Sequence, residues 1–399
     1  MELPVNKIIC GDCIEVMREW PAESVDCCIT SPPYWGLRDY GCDGQLGLEK
    51  TPEEYVAKMV QVFAEVKRLL KPTATLWLNL GDSYVSGKGR YSSCPQTISG
   101  RERNEPMNGN RPDLIGHAYL KDKDLCGIPW RVALALQADG WYLRQDIIWA
   151  KPNPMPESVT DRCTKSHEYM FLLSKSARYY FDNEAIKEDL AEITLNRIAS
   201  GKWESAPDCK LNDGVHSMTG DSFNKAVIRM AESGKRNKRS VWTVPTKPYK
   251  EAHFATFPPT LILPCVLAGT IAKGCCSNCG APTVRVVNRK RLARTELPKD
   301  DPRYRPNTYD GSYGDINGKP DAGYAETETV GWKSSCQCRK RGLNVPAIIL
   351  DPFMGSGTTA EVAYKNNRNY VGCELNPEYC KMDRGEKQKQ KMALFSGDK

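Results

Sequence analysis

Short apolar runs that end on polar or glycine-rich loops alternate along this chain with longer stretches whose apolar residues fall on one helical stripe. Four such runs are Lys7–Cys10 before Gly11-Asp12, Val25–Thr30 before Ser31, Ala347–Leu350 before Asp351, and Tyr370–Cys373 before Glu374. Continuous apolar runs this short suit strands of a parallel sheet that is covered on both faces. Between them, Pro52–Leu70 places Tyr55, Met59, Val62, Phe63, Val66 and Leu70 at helical spacing, and Thr358–Lys365 follows the last glycine loop as a second helix. Strand–helix alternation of this kind predicts a doubly wound, mostly parallel α/β fold.

The middle of the chain breaks the pattern. Residues 183–250 are polar and carry a basic run, Lys235-Arg236-Asn237-Lys238-Arg239, while residues 273–341 hold two cysteine clusters around a Tyr/Gly/Pro/Asp-rich stretch, Pro302–Gly323. Neither region shows strand periodicity, so both read as insertions. The expected division is 1–182, 183–250, an apolar helix within 251–272, 273–341, and 342–399.

Composition narrows the class. With 40% apolar content over 399 residues the chain can bury a full core, which excludes a disordered protein. The 56 basic and 49 acidic residues give a net charge of +7, a mild excess that favours a polyanionic partner without requiring one. The first residues show no basic segment followed by an apolar one, and the longest apolar run, Leu261–Ala272, is interrupted by Pro264 and too short for a bilayer. A cytoplasmic protein with no membrane association is expected. Seventeen cysteines, an odd number, then read as reduced thiols or metal ligands.

Three constellations carry chemistry. The first is Asp351-Pro352-Phe353-Met354-Gly355-Ser356-Gly357-Thr358-Thr359, between a strand and a helix, with Glu374 ending the next strand nineteen positions after Gly355. Glycines let the backbone approach a ligand closely, and a distal carboxylate at this spacing accepts hydrogen bonds from ribose hydroxyls, so the set describes an adenosine pocket. A dinucleotide is the alternative, since Gly355–Ala360 fits the G-x-G-x-x-A form, but few residues remain after it to complete such a fold. The second is Thr30-Ser31-Pro32-Pro33-Tyr34-Trp35. Consecutive prolines hold an extended backbone and leave carbonyls that accept hydrogen bonds from an amine, while Tyr34 and Trp35 offer aromatic faces for a base taken out of a duplex. The third is Cys275, Cys276 and Cys279 with Cys336 and Cys338, where Cys276-x-x-Cys279-Gly280 has the form of a zinc knuckle. His117, His167, His216 and His253 are scattered and form no ligand pair.

The segments Ile29–Tyr34 and Asp351–Thr359 resemble motifs IV and I of the amino-group DNA methyltransferases, in the order of their β class. Gly11-Asp12 resembles motif III, Glu374 the motif II carboxylate, Asp146–Asn153 with Glu168–Asp182 the region of motif VIII, and His253–Pro258 motif X. The resemblance covers residues 1–182 and 250–382. It implies a Rossmann-like methyltransferase sheet with inserted target-recognition and cysteine-rich, zinc-ribbon-like segments. It also implies S-adenosylmethionine as cofactor, held by Asp12, Phe257, Asp351, Phe353, Gly355, Gly357, Thr358 and Glu374. Ser31, Pro32, Pro33 and Tyr34 would then act on a flipped base in double-stranded DNA, residues 183–250 would read the target, and a cognate restriction enzyme would be a partner.

An exocyclic amine has its own lone pair once conjugation with the ring is weakened, so this chemistry needs no covalent thiolate. The only Pro-Cys pair, Pro264-Cys265, lies in an apolar helical run and reads as core. Serine first in the proline loop resembles the N4-cytosine enzymes more than the N6-adenine ones. Cys276, Cys279, Cys336 and Cys338 are expected to hold one structural zinc, and Lys235–Arg239 or Arg285–Arg294 to meet phosphates. Other readings are a non-catalytic zinc-bearing nucleic-acid-binding protein, and methylation of an amine in RNA or protein.

Overall fold

The computed structural model describes residues 2–37, 39–85, 117–192, 194, 234–246, 257–278, 280–292, 324–340 and 342–396. The chain divides into two compact units, one of residues 1–182, 239–275 and 344–399 and the other of residues 183–238 and 276–343.

The first unit is built on an eight-stranded sheet. Its strands are β1 (Lys7–Cys10), β2 (Val25–Thr30), β3 (Leu70–Leu80), β4 (Tyr142–Ala150), β5 (His167–Ser174), β6 (Val241–Thr243), β7 (Ile348–Asp351) and β8 (Asn369–Glu374), in the spatial order β1-β8-β7-β2-β3-β5-β4-β6. Strands β1, β8, β7, β2 and β3 run parallel, β5 is antiparallel to both its neighbours, and β6 joins β4 in parallel. The expected doubly wound, mostly parallel sheet is therefore present.

Among the described residues, the helices longer than one turn are α1 (Cys13–Arg18), α2 (Pro52–Leu69), α3 (Ile128–Ala138), α4 (Pro259–Gly269), α5 (Thr358–Lys365) and α6 (Arg384–Ser396). Helix α2 starts where Thr51 accepts the Glu54 N–H and Pro52 fills the first turn, where a missing donor costs nothing. It stops because Lys71 precedes Pro72, which disfavours helical backbone, and Leu70 leaves the helix extended. Its buried stripe, Tyr55, Met59, Val62, Phe63, Val66 and Leu69, packs in one cluster with Met17, Cys28, Leu76 and Leu78. Helix α4 covers the opposite face, burying Leu261, Ile262, Cys265 and Val266, so Cys265 is core as expected.

Two expectations change. Residues 183–250 do not all lie outside the sheet, because Val241–Thr243 forms the edge strand β6, too short to show a period. The cysteine-rich segment is not merely loop: Thr283–Leu292 and Tyr324–Ser334 pair as an antiparallel ribbon. Pro302–Gly323, Lys247–Lys250 and His253–Thr256 lie outside the described residues. Among the described residues, no helix is long and apolar enough to cross a membrane.

From β2 the chain moves to β3 on one side, whereas from β7 it moves to β8 on the other. The carboxyl ends of β2 and β7 therefore flank a switch point, the place where open α/β sheets bind ligands.

Close seating of α4 depends on Gly269, where a Cβ would stand 2.8 Å from Cys27 Sγ and 2.9 Å from Trp77 Nε1. Gly269→Ala should cost on the order of 1–3 kcal/mol through overpacking. A urea midpoint within error of the parent's, with an unchanged m-value, would show that the helix shifts without penalty.

Candidate active site

The strand ends open into one cleft of about 790 Å³. Gly11–Cys13 follow β1, Ser31–Tyr34 follow β2, Gly81 and Asp82 follow β3, Pro352–Ser356 follow β7, and Glu374 ends β8 with Leu375 and Asn376 after it. Trp149 and Lys151 enter from the end of β4, His167 and Glu168 from the start of β5, and Phe257 from the segment before α4. Residues more than 300 positions apart in sequence thus share one wall.

On the β7 side the governing residue does not itself line the cleft. Asp351 is buried, and its two oxygens accept from Thr30 Oγ1 (2.6 Å), Phe353 N (3.0 Å) and Thr359 Oγ1 (2.6 Å). Expected among the cofactor-binding residues, it lies behind the lining and ties β2, the glycine loop and α5 together. Burial pushes its carboxyl up to about 6, with the three donors working against that rise. Gly357 also stays out of the lining. It sits at φ +84° as the N-cap of α5, and a Cβ there would meet Arg384 N at 2.8 Å.

Gly355, Phe353 and Thr358 do line the cleft. Gly355 adopts φ +54°, a Cβ there would meet nothing within 4 Å, and its N–H donates to Glu374 Oε2 at 2.7 Å. The other oxygen of Glu374 accepts from Asn376 N at 2.8 Å. Burial raises this carboxyl too, against the pull of the backbone donors. Ser356 lines the same wall, and its buried Oγ has no hydrogen-bond partner among the described residues. Across from it, Asp12 uses Oδ1 to cap α1, accepting from Ile14 N (2.9 Å) and Glu15 N (3.1 Å).

On the β2 side the proline loop is held from behind. Tyr55 Oη donates to the Pro33 carbonyl at 2.9 Å, which engages one of the expected acceptors. Ser31 Oγ donates to Tyr34 Oη at 3.4 Å, and Tyr34 Oη lies 2.7 Å from Glu168 Oε2 and 3.1 Å from Asn79 Oδ1. Trp35 is a correction: it is buried, it donates to the Glu49 carbonyl at 3.0 Å, and it is absent from the cleft wall. Its indole therefore offers no face to a base.

Sequence reasoning missed the polar set opposite Tyr34. Lys151 forms an ion pair with Glu168 and sits 4.4 Å from the centroid of the Trp149 ring. Lys165 donates to the Asp82 carbonyl at 3.1 Å; burial lowers this lysine and raises the Asp82 carboxyl, each partly countered by the other's charge. The available signal was their place beside the end of β4 and the start of β5, which antiparallel pairing brings to the same side of the sheet as the end of β3. Burial pushes the Cys13 thiol up to about 12 and raises Cys42, so the two cleft-lining cysteines stay protonated near neutrality. No thiolate nucleophile faces the cleft from these positions.

In the second unit the sulfurs of Cys276, Cys336 and Cys338 lie within 4.8 Å of one another, with Cys336 Sγ 3.3 Å from Cys276 Sγ. Cys279 lies outside the described residues. Cys275 is not part of this set, its thiol donating to Asp26 at 3.6 Å. Within the basic run, Arg236 and Lys238 pair with Glu188 at 3.5 and 3.0 Å, which offsets part of the charge expected to meet phosphates. Of Arg285–Arg294, Ala293 and Arg294 fall outside the described residues. Arg285 lies 4.8 Å from the centroid of the Trp332 ring.

A doubly wound sheet with a glycine loop closed by a distal carboxylate, facing a Ser-Pro-Pro-Tyr loop across the switch point, defines an α/β methyltransferase. The chain belongs to the N6/N4 DNA methylase family, whose profile matches residues 25–276 and 341–384. It is 37% identical over 379 residues to the Type II methyltransferase M.Cfr9I of Citrobacter freundii, an alignment covering 95% of this chain and 86% of that protein. It is 38% identical over 370 residues to the Type II methyltransferase M.XycI of Xanthomonas campestris pv. cyanopsidis, covering 92% and 83%. Among solved structures, the PvuII DNA methyltransferase (cytosine-N4-specific) aligns with 96% of this chain and 86% of that one, at 14% identity and a TM-score of 0.49.

The raised carboxyl of Asp351 has a signature. Its folded pKa near 6 exceeds its ordinary 3.8, so the folded state holds this proton more tightly; the stability it contributes is full below about pH 4 and is lost as pH rises through 6. Asp351→Asn, neutral throughout, should therefore gain in Tm relative to the parent between pH 4.5 and 7. A Tm difference that does not change with pH would mean Asp351 ionises normally.

Proposed function

We propose that this DNA methylase transfers the methyl group of S-adenosylmethionine to N4 of a flipped cytosine within a specific double-stranded DNA site. What supports the reading is a single observation: the Ser31–Tyr34 loop and the Gly355–Glu374 wall face the same cleft. The wall fits an adenosine cofactor. Gly355 leaves open space where a side chain would stand, the Ser356 hydroxyl awaits a partner, and each Glu374 oxygen keeps a lone pair for a ribose hydroxyl. When bound, the cofactor supplies an electrophilic methyl group on a sulfonium. Asp12, Phe257, Phe353, Thr358 and Glu374 would hold it, while Asp351 and Gly357 shape the loop from behind.

The target amine meets this chain's own groups. Ser31 Oγ and the Pro32 carbonyl accept from the NH2, drawing the nitrogen towards a tetrahedral geometry whose lone pair points at the methyl. Pro33 keeps the loop extended, and the Tyr34 ring stacks on the base. Serine first in the loop favours cytosine N4 over adenine N6. Both named relatives are Type II methyltransferases. By that likeness the chain acts in the cytoplasm on host DNA beside a cognate restriction enzyme, and residues 183–250 contribute target recognition.

Single-molecule sequencing of DNA from a host expressing the chain should show N4-methylcytosine in one sequence context. Gly355→Val should show none, and calorimetry on the folded variant should find cofactor affinity lost. N6-methyladenine in one context would replace the cytosine assignment, and no modified base would remove the reading altogether.

The cysteine cluster adds a structural metal to the proposal. Three thiols this close suit a Zn²⁺ ion, with Cys279, at C-x-x-C spacing from Cys276, as the fourth ligand. The ion would order residues 273–341, and its binding free energy would become local folding free energy. Protein purified without added metal should carry close to one zinc per chain by elemental analysis, and chelation should weaken DNA binding more than cofactor binding. Substantially less than one zinc, with all four thiols titrating freely, would refute the site.

A further inference from the structure

The proline loop does not end at the amine. From Ser31 a line of hydrogen bonds runs along the cleft wall: Ser31 Oγ donates to Tyr34 Oη at 3.4 Å, and Tyr34 Oη donates to Glu168 Oε2 at 2.7 Å. We propose that Ser31, Tyr34 and Glu168 form a proton relay that draws a proton from the target amine as its bond to the methyl carbon forms. The relay rests on the reading of Ser31 as an acceptor of the amine.

The need for such a path follows from the chemistry. An exocyclic amine conjugated with a ring is a weak nucleophile, and the ammonium left by methyl transfer is a far stronger acid than any carboxylic acid. Removing a proton during attack restores electron density to the nitrogen at the moment it is needed. Neither Ser31 nor the Pro32 carbonyl can keep that proton. Glu168 can, because it is the first carboxylate along the line.

The step balances. The nitrogen lone pair forms the N–C bond while the C–S pair leaves with sulfur, and the electrons of the N–H bond stay on nitrogen. The proton passes to Ser31 Oγ as Ser31 gives its own to Tyr34 Oη and Tyr34 gives its own to Glu168 Oε2. Ser31 and Tyr34 end as they began, Glu168 ends neutral, and the sulfonium charge is gone.

Three features of the site fit this role. Burial and the Glu168 charge hold Tyr34 well above the ordinary phenol range, so its hydroxyl stays protonated and can accept one proton while handing on another. Lys151 pairs with one Glu168 oxygen, and Asn79 Nδ2 donates to the other at 3.3 Å, so the carboxylate is fixed and aimed before reaction. Asn79 Oδ1 lies 3.1 Å from Tyr34 Oη, yet an amide oxygen cannot serve as the terminal base. The Glu168 side chain is 15% exposed and borders the cleft, which gives the proton a way out to water after turnover.

The test uses the full chain and a duplex carrying the site found by methylome sequencing. Glu168→Gln keeps an acceptor for Tyr34 but cannot take a proton; Tyr34→Phe keeps the ring and breaks the line. Both variants should bind S-adenosylmethionine normally and give the parent's 2-aminopurine fluorescence rise at the target position. Both should slow single-turnover methylation by about 100-fold, within the usual range for general-base catalysis. The parent should show a solvent deuterium isotope effect with a bowed proton inventory, absent in Glu168→Gln. Rates within twofold of the parent, with the isotope effect retained, would overturn the relay. So would a slowed rate accompanied by lost base flipping or lost cofactor binding, which marks a structural role. A parent chain that methylates nothing would instead sink the underlying reading of function.

Discussion

One buried carboxylate sets the geometry on which the rest of the cleft depends. Asp351 ends β7 between Thr30, the last residue of β2, and Thr359 in the first turn of α5, and it accepts a hydrogen bond from each. Removing a carboxylate from water is expensive, and the raised carboxyl of Asp351 records that cost. The three donors offset part of it and, in doing so, fix how far apart the ends of β2 and β7 lie. Both loops of the site spring from those two ends, so their separation is decided by a residue that does not itself line the cleft.

The chain order of the pieces matters little once this is fixed. The Gly11-Asp12 turn and the Ser31–Tyr34 loop come first, and the glycine loop with Glu374 comes more than 300 residues later, yet parallel pairing of β1 with β8 and of β2 with β7 brings them to one edge. In an open parallel sheet every strand delivers its following loop to the same side. Long excursions between the pieces cost little, because loop-closure entropy grows only slowly with length. This is why the second unit, of residues 183–238 and 276–343, interrupts the sequence without interrupting the sheet.

Legibility in the sequence followed burial. Strands β2, β7 and β8 and helix α2 announced themselves because they are buried along most of their length or along a full stripe, whereas β1, a half-exposed edge strand, was legible from Ile8 and Ile9 just before the Gly11-Asp12 turn. Strand β3 was not, since it follows α2 with no loop between them and only Lys71-Pro72-Thr73 part the helical stripe from its buried run; β6, with three residues, is too short for any period. Within the site, residues singled out by the two loop motifs were readable, whereas the joint role of Asn79, Lys151 and Glu168 was not, although the last two fall in the motif VIII-like segments, because antiparallel pairing of β5 with β3 and β4 brings them together across the sheet. Trp35 misled because an aromatic beside a loop expected to meet a base looks the same in sequence whether its face is free or, as here, buried with its N–H on the Glu49 carbonyl.

Tyr34 shows how two unrelated constraints define one orientation. A Cβ at Gly81 would stand 2.5 Å from Tyr34 Cε2, so the ring occupies space that only glycine leaves open, and Glu168 fixes the hydroxyl at the far end. A ring held both along its edge and at its tip would lose little further freedom on receiving the base proposed for it, so the ordering cost would be met on folding instead of on binding. The same hydroxyl, kept protonated by burial and by the neighbouring carboxylate, links this rigid platform to the Lys151–Glu168 pair. Ring and polar network are therefore one unit: a change that lets the ring tilt also breaks the hydrogen bond, and a change that removes the carboxylate frees the ring.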